Sequence, residues 1–427
     1  MNSKQAPVWH SNNSRSKYVA LSVLILLIGV VLVTPGCRRR PRELNGIWYG
    51  MVVNKNGDEL PIKMELKREG NNVIGSFING DERITSTSGS FDASTETLKL
   101  RFDYYDGDLE GRFFRRELIG TFTRQWRREK LVRDLKLWRG APMVVPAAAE
   151  GKDLSGEWSV KVGEGEQQKV WRMSLKQNGA EVTGTIIPPS GDWGSLTGTF
   201  GYGKLTMSRF DGINARLLRA ELNEQGQLVG VVDLGLADPK RKIVAERVTG
   251  EAATKADTLA TRMKNPTEPF KFSLPDLDGK TVSSTDERFK DKVVIITTTG
   301  SWCPNCYDEA PFLNELYDKY HSSGLEIVAL GFEYTGDAAR DTKQLKTFAE
   351  RHNTKYPILY AGSTDDAAQR LAQLENFGAY PTTIFIGRDG LMKRIHAGFD
   401  GPATGERFTR LKAEMEEIVK ELLKEAE

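Results

Sequence analysis

Cysteine and histidine are scarce in this chain: its 427 residues include three cysteines and four histidines. So few cysteines exclude a disulfide-rich scaffold, and no second cysteine pair is available to complete a four-cysteine zinc site. Beyond residue 42 the chain carries 53 basic and 58 acidic residues, a balance that gives no reason to expect a nucleic-acid partner. The composition, 39% hydrophobic and 28% charged, is that of a globular protein of several domains. No metal or cofactor is predicted.

Residues 1–43 have the layout of a targeting segment. Three basic residues precede the apolar run "YVALSVLILLIGVVLV", which is short for a membrane span and is followed by "TPGC". Small residues before Cys37 resemble the lipobox of bacterial lipoproteins, so Cys37 is the candidate lipidation site, although Thr34 and Pro35 depart from that pattern. "RRRPR" after Cys37 opposes export. A lipoprotein, an uncleaved anchor helix and a cytosol-facing orientation stay open; each leaves the protein on membrane lipid. We predict the extracytoplasmic, periplasmic side.

The next two hundred residues contain an internal duplication. "LNGIW" at 44–48 recurs as "LSGEW" at 154–158, and "MELKREGNNVIGS" at 64–76 aligns without gaps to "MSLKQNGAEVTGT" at 173–185. Matches held at an offset of about 110 residues predict two copies of one module. Alternating runs such as "IKMELK", punctuated by Gly, Asn and Asp, predict antiparallel β structure in each copy, as a small barrel or a sandwich. We expect β-module 1 over 44–140, a linker over 141–153, β-module 2 over 154–249 and a linker over 250–264.

Neither β-module contains a catalytic set of residues. The G-x-W motif at the start of each copy resembles the opening of lipocalin-type barrels, which hold small ligands; alternatively Trp48 and Trp158 are core residues. Spacer or protein-docking modules are the favoured interpretation. The basic stretch "RRELIGTFTRQWRREKLVR" at 115–133 could touch anionic lipid or polysaccharide, or form a solvated strand face.

Residues 265–427 show the βαβ order of an α/β domain. "DKVVIITTT" at 291–299 predicts a strand buried on both faces, and "LEIVALGF" at 325–332 predicts the next parallel strand. "DTKQLKTFAERHN" at 341–353 predicts a helix capped by Asp341, and "TDDAAQRLAQLE" at 364–375 predicts another. A hairpin at 382–398 and a long charged helix from about Glu406 complete the domain. The whole chain is therefore multidomain, with two antiparallel all-β modules followed by an α/β fold.

"SWCPNC" places Cys303 and Cys306 at C-x-x-C spacing where a strand runs into a helix, within disulfide reach. Unsatisfied N–H groups and the helix dipole favour a thiolate at Cys303, and Pro304 suits the first helical turn. Cys303 is the expected nucleophile and Cys306 the resolving thiol. Half a zinc site and a purely structural disulfide are the weaker alternatives, and haem attachment would need His where Tyr307 stands.

This region resembles the thioredoxin fold, and "WCxxCxxExP" from Trp302 to Pro311 resembles the membrane-tethered TlpA/ResA branch of thiol-disulfide oxidoreductases. "GAYPTT" at 378–383 matches the loop that in this fold carries a cis-proline, which implies that Pro381 lies beside the disulfide. The resemblance implies a proton-transfer role for Glu309. Cytosolic thioredoxins instead have an acidic residue six positions before the first cysteine, and in this chain that position is Thr297. It also implies an active-site surface formed by Trp302, Pro304, Asn305, Tyr380 and Thr382.

The predicted function is thus that of a membrane-anchored, exported disulfide reductase. The resemblance implies electrons from an integral membrane thiol carrier, and exported protein disulfides, such as those of apocytochrome-like proteins, as substrates. A peroxiredoxin-like peroxidase is the first alternative, but its "PxxxTxxC" motif is absent because Ile296 and Gly300 stand at the Pro and Thr positions. A non-catalytic docking protein is the second.

Overall fold

The computed structural model describes residues 42–140, 151–235, 239–250 and 261–425. The predicted anchor segment and Cys37 lie outside the described residues. Within those four ranges, no helix is both long enough and apolar enough to cross a membrane. Residues 43–427 form one compact unit that contains both β-modules and the α/β domain.

β-module 1 is a barrel-like antiparallel sheet in which apolar side chains alternate inward. Its strand order is β2-β1-β9-β8-β7-β6-β5-β3-β4, and an additional β2–β3 pairing joins the first strand of that order to a strand near its other end. The strands are β1 (Gly46–Val53), β2 (Glu59–Glu69), β3 (Asn72–Asn79), β4 (Glu82–Thr85), β5 (Ser88–Asp92), β6 (Thr97–Phe102), β7 (Gly107–Phe114), β8 (Glu117–Trp126) and β9 (Glu129–Trp138).

β-module 2 is a closed antiparallel barrel of eight strands, each paired with its sequence neighbours and the last with the first. The strands are β10 (Gly156–Val162), β11 (Lys169–Asn178), β12 (Glu181–Ile187), β13 (Leu196–Gly201), β14 (Lys204–Phe210), β15 (Ala215–Leu222), β16 (Leu228–Asp233) and β17 (Arg241–Val248). The prediction of antiparallel β structure is confirmed in both modules.

The two modules share one local arrangement around their first tryptophan. Trp48 pairs with Met64 across β1 and β2, and its indole N–H donates to the Leu44 carbonyl at 2.8 Å. Trp158 pairs with Met173 across β10 and β11, and its indole N–H donates to the Leu154 carbonyl at 3.0 Å. Both indoles are buried, as expected for core residues. An arginine lies over each ring, Arg139 at 5.3 Å and Arg247 at 4.9 Å.

The β14–β15 turn of β-module 2 inserts into the core of β-module 1. The Phe210 ring makes edge contacts with Phe77 at 4.8 Å and with Phe122 at 5.2 Å. The Asn79 side chain accepts from the Phe210 N–H and donates to its carbonyl, so the entering backbone is hydrogen-bonded as well as packed. Beside it, buried Arg209 forms an ion pair with Glu82. The two modules therefore share a core, which the separate sequence patterns did not predict.

The α/β domain has a five-stranded sheet in the order β23-β22-β21-β25-β26, with β21, β22 and β23 parallel and the last two antiparallel. Its strands are β18 (Arg262–Met263), β19 (Ser273–Pro275), β20 (Thr281–Ser283), β21 (Val293–Thr299), β22 (Leu325–Glu333), β23 (Ile358–Ser363), β24 (Leu374–Glu375), β25 (Thr382–Ile386) and β26 (Met392–Ala397). Its helices are α1 (Pro304–Tyr320), α2 (Ala338–His352), α3 (Ala367–Arg370) and α4 (Glu406–Lys424). This is the thioredoxin fold, and we call residues 261–425 the redox domain.

Several predicted boundaries in this domain are wrong in detail. Helix α2 begins three residues before the predicted cap, because Asp337 accepts the N–H groups of Ala339 and Arg340, whereas Asp341 is buried. Residues 364–375 form a 3-10 turn, the short α3 and strand β24 rather than one helix. Strand β24 pairs with β18, and the Thr261 hydroxyl donates to the Asn376 carbonyl, so residues upstream of 265 also pack on this domain.

Both β-modules contact the redox domain. Tyr307 on α1 donates its hydroxyl to the Tyr104 carbonyl of β-module 1 at 2.8 Å, and Arg340 on α2 pairs with Asp106 at 2.9 Å. From β-module 2, the Asp192 carboxylate accepts the Gly401 N–H at 2.5 Å. These contacts place β-module 1 against α1 and α2, and β-module 2 against the segment that precedes α4.

Candidate active site

Cys303 and Cys306 form a disulfide at the N-terminus of α1, with their Cα atoms 5.3 Å apart. Strand β21 is buried on both faces and delivers the chain to this point, after which Cys303 caps the helix and Pro304 occupies its first turn. The Cys306 N–H points at the Cys303 sulfur over 3.2 Å. Such an N–H group, together with the helix dipole, stabilises negative charge on that sulfur when the disulfide is reduced. Both cysteines are buried in this disulfide form, Cys303 at 3% and Cys306 at 1% exposed.

Pro381 lies beside this disulfide, and the peptide bond between Tyr380 and Pro381 is cis. The Tyr380 carbonyl oxygen is 3.5 Å from the Cys303 sulfur, as expected from the "GAYPTT" loop. Thr382 holds the loop by donating its N–H to Thr298 at 2.8 Å. Thr382 is itself fully buried, so it supports the loop and does not belong to the predicted active-site surface.

Glu309 lies one helical turn after Cys306 and is 2% exposed, which rules out a surface carboxylate. Its two oxygens accept from the Thr297 hydroxyl at 2.8 Å and the Thr383 hydroxyl at 2.5 Å. These threonines face each other across β21 and β25, so the carboxyl group of α1 lies against the sheet. Burial raises the pKa of Glu309 to about 7, although both hydrogen bonds oppose the rise. Near neutral pH such a group can accept and return a proton.

Three of the remaining predicted surface residues lie around Cys303. Trp302 is partly exposed and donates its indole N–H to the Phe332 carbonyl at 2.8 Å, and its ring contacts that of Tyr380 at 5.0 Å. Asn305 donates to the Phe399 carbonyl at 3.0 Å. A Cβ at Gly191 of β-module 2 would lie 2.2 Å from the Asn305 amide nitrogen, so this module closely approaches the active-site helix.

A second buried carboxylate, that of Glu333, lies close to the site although no sequence motif predicted it. Glu333 ends strand β22, accepts the Ser301 N–H at 2.7 Å and pairs with Arg340 at 3.3 Å. Burial raises the pKa of Glu333 to about 7, against the hydrogen bond from Ser301. It holds the turn that leads into Cys303. The available signal was an acidic residue directly after the apolar run "LEIVALGF".

Gly300 bears on the peroxidase alternative. A Cβ at this position would lie 2.4 Å from the Trp302 indole nitrogen and 2.5 Å from the Phe332 carbonyl oxygen. Both atoms are fixed by their mutual hydrogen bond, so the site has no room for a threonine side chain. The hydroxyl that the peroxidase motif requires therefore cannot be supplied from position 300.

A disulfide at the start of the first long helix of a thioredoxin fold, next to a cis-proline, places this chain among the redox proteins of that fold. Residues 267–395 match the AhpC/TSA family. The thiol-disulfide oxidoreductase ResA of Bacillus thuringiensis subsp. konkukian is 32% identical over 133 residues, covering 31% of this chain and 69% of ResA. The chain therefore belongs to the ResA-like thiol-disulfide oxidoreductases.

Another ResA and two solved structures are also similar to parts of this chain. ResA of Bacillus anthracis is 34% identical over 119 residues, which are 28% of this chain and 61% of that ResA. A thiol:disulfide interchange protein of Chlorobium tepidum is 22% identical, covering 38% of this chain and 99% of that one, with a TM-score of 0.30. A putative protein disulfide isomerase of Bacteroides thetaiotaomicron is 20% identical, covering 38% and 94%, with a TM-score of 0.29.

Proposed function

We propose that this chain is an exported thiol-disulfide oxidoreductase that reduces disulfides of other exported proteins. The observation that carries the proposal is the juxtaposition of the Cys303–Cys306 disulfide, cis-Pro381 and the buried carboxyl group of Glu309. The family relationship supports thiol–disulfide exchange as the reaction. The chain spans 61% of the length of several of its Bacillus relatives, so its own direction and substrates are part of the proposal.

In the reduced enzyme the Cys303 thiolate attacks one sulfur of a substrate disulfide. The substrate S–S bond breaks, its second sulfur leaves as a thiolate that takes up a proton, and a mixed disulfide links Cys303 to the substrate. Cys306 then loses its proton and attacks the Cys303 sulfur, which releases the second substrate thiol. We assign the acceptance of that proton to Glu309. Two electrons pass to the substrate, and the enzyme is left with the Cys303–Cys306 disulfide until an external thiol donor reduces it.

The test is reduction of insulin by the pre-reduced chain and by two single variants. Cys303→Ser should abolish reduction, because the attacking thiolate is lost. Cys306→Ser should instead accumulate a mixed disulfide with the substrate that is cleaved by dithiothreitol. If Cys303→Ser accumulates the adduct and Cys306→Ser does not, the two roles are reversed. If the parent chain reduces no insulin, the proposed reaction is wrong.

We also propose that the N-terminal segment exports the chain and holds it on the extracytoplasmic face of a membrane, where an integral membrane thiol carrier supplies electrons. The support is the apolar run that precedes "TPGC" and Cys37, together with the basic residues before that run. Cys37→Ala should abolish labelling by a radioactive fatty acid and leave a heavier precursor. An unlabelled parent chain of unchanged mobility would favour an uncleaved anchor helix.

A peroxidase is the second candidate, because the family whose model matches residues 267–395, AhpC/TSA, is not named for disulfide exchange. The absence of the threonine and proline of that motif at Gly300 and Ile296 weighs against it. Consumption of hydrogen peroxide by the reduced chain, at a rate above that of insulin reduction, would favour the peroxidase. The same rate in Cys306→Ser would confirm a single peroxidatic cysteine.

We further propose that the two β-modules are copies of one ancestral module that position the redox domain and contribute to its working surface. The shared tryptophan, methionine and arginine arrangement supports the common origin. The contacts of Tyr104 with Tyr307, and of Gly191 with Asn305, support a role at the redox domain rather than that of distant spacers.

A further inference from the structure

A strip of four partly exposed aromatic side chains runs from the disulfide onto β-module 1. Tyr380, whose carbonyl adjoins Cys303, has its ring 5.0 Å from that of Trp302. Trp302 stacks on Tyr334 at 4.4 Å, with 29° between the ring planes. Tyr334 contacts Trp126, the last residue of β8, at 4.6 Å. We call these four residues the aromatic strip. It gives one continuous path from the reacting sulfur to the β8–β9 turn.

The β8–β9 turn at the far end of this strip carries exposed cations. Arg127, Arg128 and Lys130 are all exposed, and we call them the basic hairpin. Arg127 is 3.9 Å from Asp365 of the redox domain, a distance too long for a tight ion pair, and its side chain stays 59% exposed. The exposed carboxylate of Glu129 lies between these cations in sequence, so the net charge of the turn is positive but lower than its basic residues alone would give.

A buried arginine strengthens the positive charge behind this turn. Arg124 is 4% exposed, and its guanidinium carbon lies 5.2 Å from the Trp126 ring. Its Nε donates to the Gln125 carbonyl, whereas its Nη1 has no hydrogen-bond partner among the described residues. Within the described ranges Arg124 forms no ion pair, although Asp211 and Asp106 act on its charge at longer range, and it lies where the aromatic strip meets the basic hairpin.

We propose that the aromatic strip and the basic hairpin together form a docking surface that selects protein disulfides flanked by acidic residues. This inference rests on the proposed reductase function and names its substrate class. The Cys303 sulfur is almost buried, so a substrate must press the chain around its own disulfide onto the surface next to Cys303. The aromatic strip offers apolar area for that chain, and the basic hairpin offers charge at its end.

The position of the selected charge follows from chain geometry. An extended chain advances about 3.3 Å per residue, so a segment that crosses the aromatic strip reaches the basic hairpin about three to six residues from its cysteine. Acidic side chains at those positions would face Arg127 and Arg128. β-module 1 thus supplies a specificity determinant that a redox domain alone would lack.

The experiment compares three disulfide peptides that differ only in two residues, four and five positions from the cysteine: Asp, Asn or Lys. The full-length reduced chain should reduce the Asp peptide with a kcat/KM roughly 3- to 10-fold above that of the Asn peptide at about 50 mM salt, mainly through KM. The preference should fall towards 1 at about 0.5 M salt, because exposed charges are then screened. Arg127→Glu with Arg128→Glu should reverse it in favour of the Lys peptide.

A matched control is available at the opposite end of β8. Arg115 and Arg116 form the exposed β7–β8 turn, and both Arg115 and Arg127 have a φ of 53°. The ten residues of β8 separate the two turns by about 30 Å, well beyond the screening length at that salt concentration. Arg115→Glu with Arg116→Glu changes the net charge equally and should keep the parent preference for the Asp peptide.

Several outcomes would overturn the inference. Equal reduction of all three peptides by the parent chain would refute the docking surface and leave the reductase intact, whereas reduction of none would refute both. An equal loss of preference in the control pair would show a general effect of net charge. Unchanged peptide preferences in the Arg127 and Arg128 variant, combined with lost binding to phosphatidylglycerol vesicles, would assign the basic hairpin to a membrane surface instead.

Discussion

Replacing Glu309 by Gln tests the central carboxyl group of the site through both stability and rate. The pKa of Glu309 is raised by burial from 4.5 to about 7. At about 1.4 kcal/mol per pH unit, that difference corresponds to about 3 kcal/mol. Because the folded-state pKa is the higher one, the stabilising contribution is fully present below about pH 4.5 and is lost as pH rises through 7. Gln does not titrate, so this part of the pH dependence should disappear.

The assay is chemical unfolding of the protein at several pH values between 5 and 8. The protein is kept oxidised, because Cys303 and Cys306 then form the disulfide and no active-site thiol can titrate. The parent should lose up to about 3 kcal/mol more of its free energy of unfolding over this range than Glu309→Gln. In the reduced enzyme, Glu309→Gln should form the mixed disulfide at the parent rate. It should release the substrate about 100-fold more slowly near pH 7, because the proton acceptor for Cys306 is gone.

Glu333→Gln is the matched control, since burial also raises the pKa of Glu333 to about 7 but its oxygens contact Ser301 and Arg340. In this variant the free energy of unfolding should likewise depend less on pH than in the parent. Release of the substrate from the mixed disulfide should not be slowed. If Glu309→Gln keeps the parent's pH dependence of unfolding and its release rate, then Glu309 neither titrates near 7 nor accepts the Cys306 proton. Equal slowing in both variants would assign the effect to altered structure.

Three further predictions concern the fold around the site. Phe210→Ala should lower the free energy of unfolding by about 3–5 kcal/mol, measured by urea denaturation, because it empties the shared core of the β-modules; a loss below 1 kcal/mol would contradict that core. Gly300→Thr should abolish insulin reduction and lower the thermal midpoint, whereas gain of peroxide consumption would contradict the steric argument. A fragment that begins at Asn265 should fold and reduce insulin by itself. A fragment that begins at Thr261 should have a higher melting temperature, because it keeps the β18–β24 pairing. Failure of both fragments to fold would show that the β-modules complete the redox domain.

Much of the redox domain follows from local sequence, because its signals are short-range. Each signal specifies its conformation within a few residues: a strand buried on both faces, a C-x-x-C pair at the start of the next helix, and the Tyr-Pro loop. Period-2 alternation likewise predicted antiparallel β-modules. The early start of α2 was missed because Asp337 and Asp341 are both good caps in sequence, and only burial of Asp341 distinguishes them.

The amino-acid sequence by itself determined the redox chemistry of this protein, because the reacting groups are neighbours along one helix. Tertiary structure alone decided what surrounds them. Glu309 was a proton-transfer candidate from sequence resemblance, but its burial between Thr297 and Thr383 of separate strands, which raises its pKa, is a tertiary property. Trp126 of β-module 1 contacts Tyr334 of the redox domain, and Phe210 enters a neighbouring barrel, through contacts between residues far apart in the chain. Such contacts leave no periodic pattern, since each depends on how whole modules pack against one another.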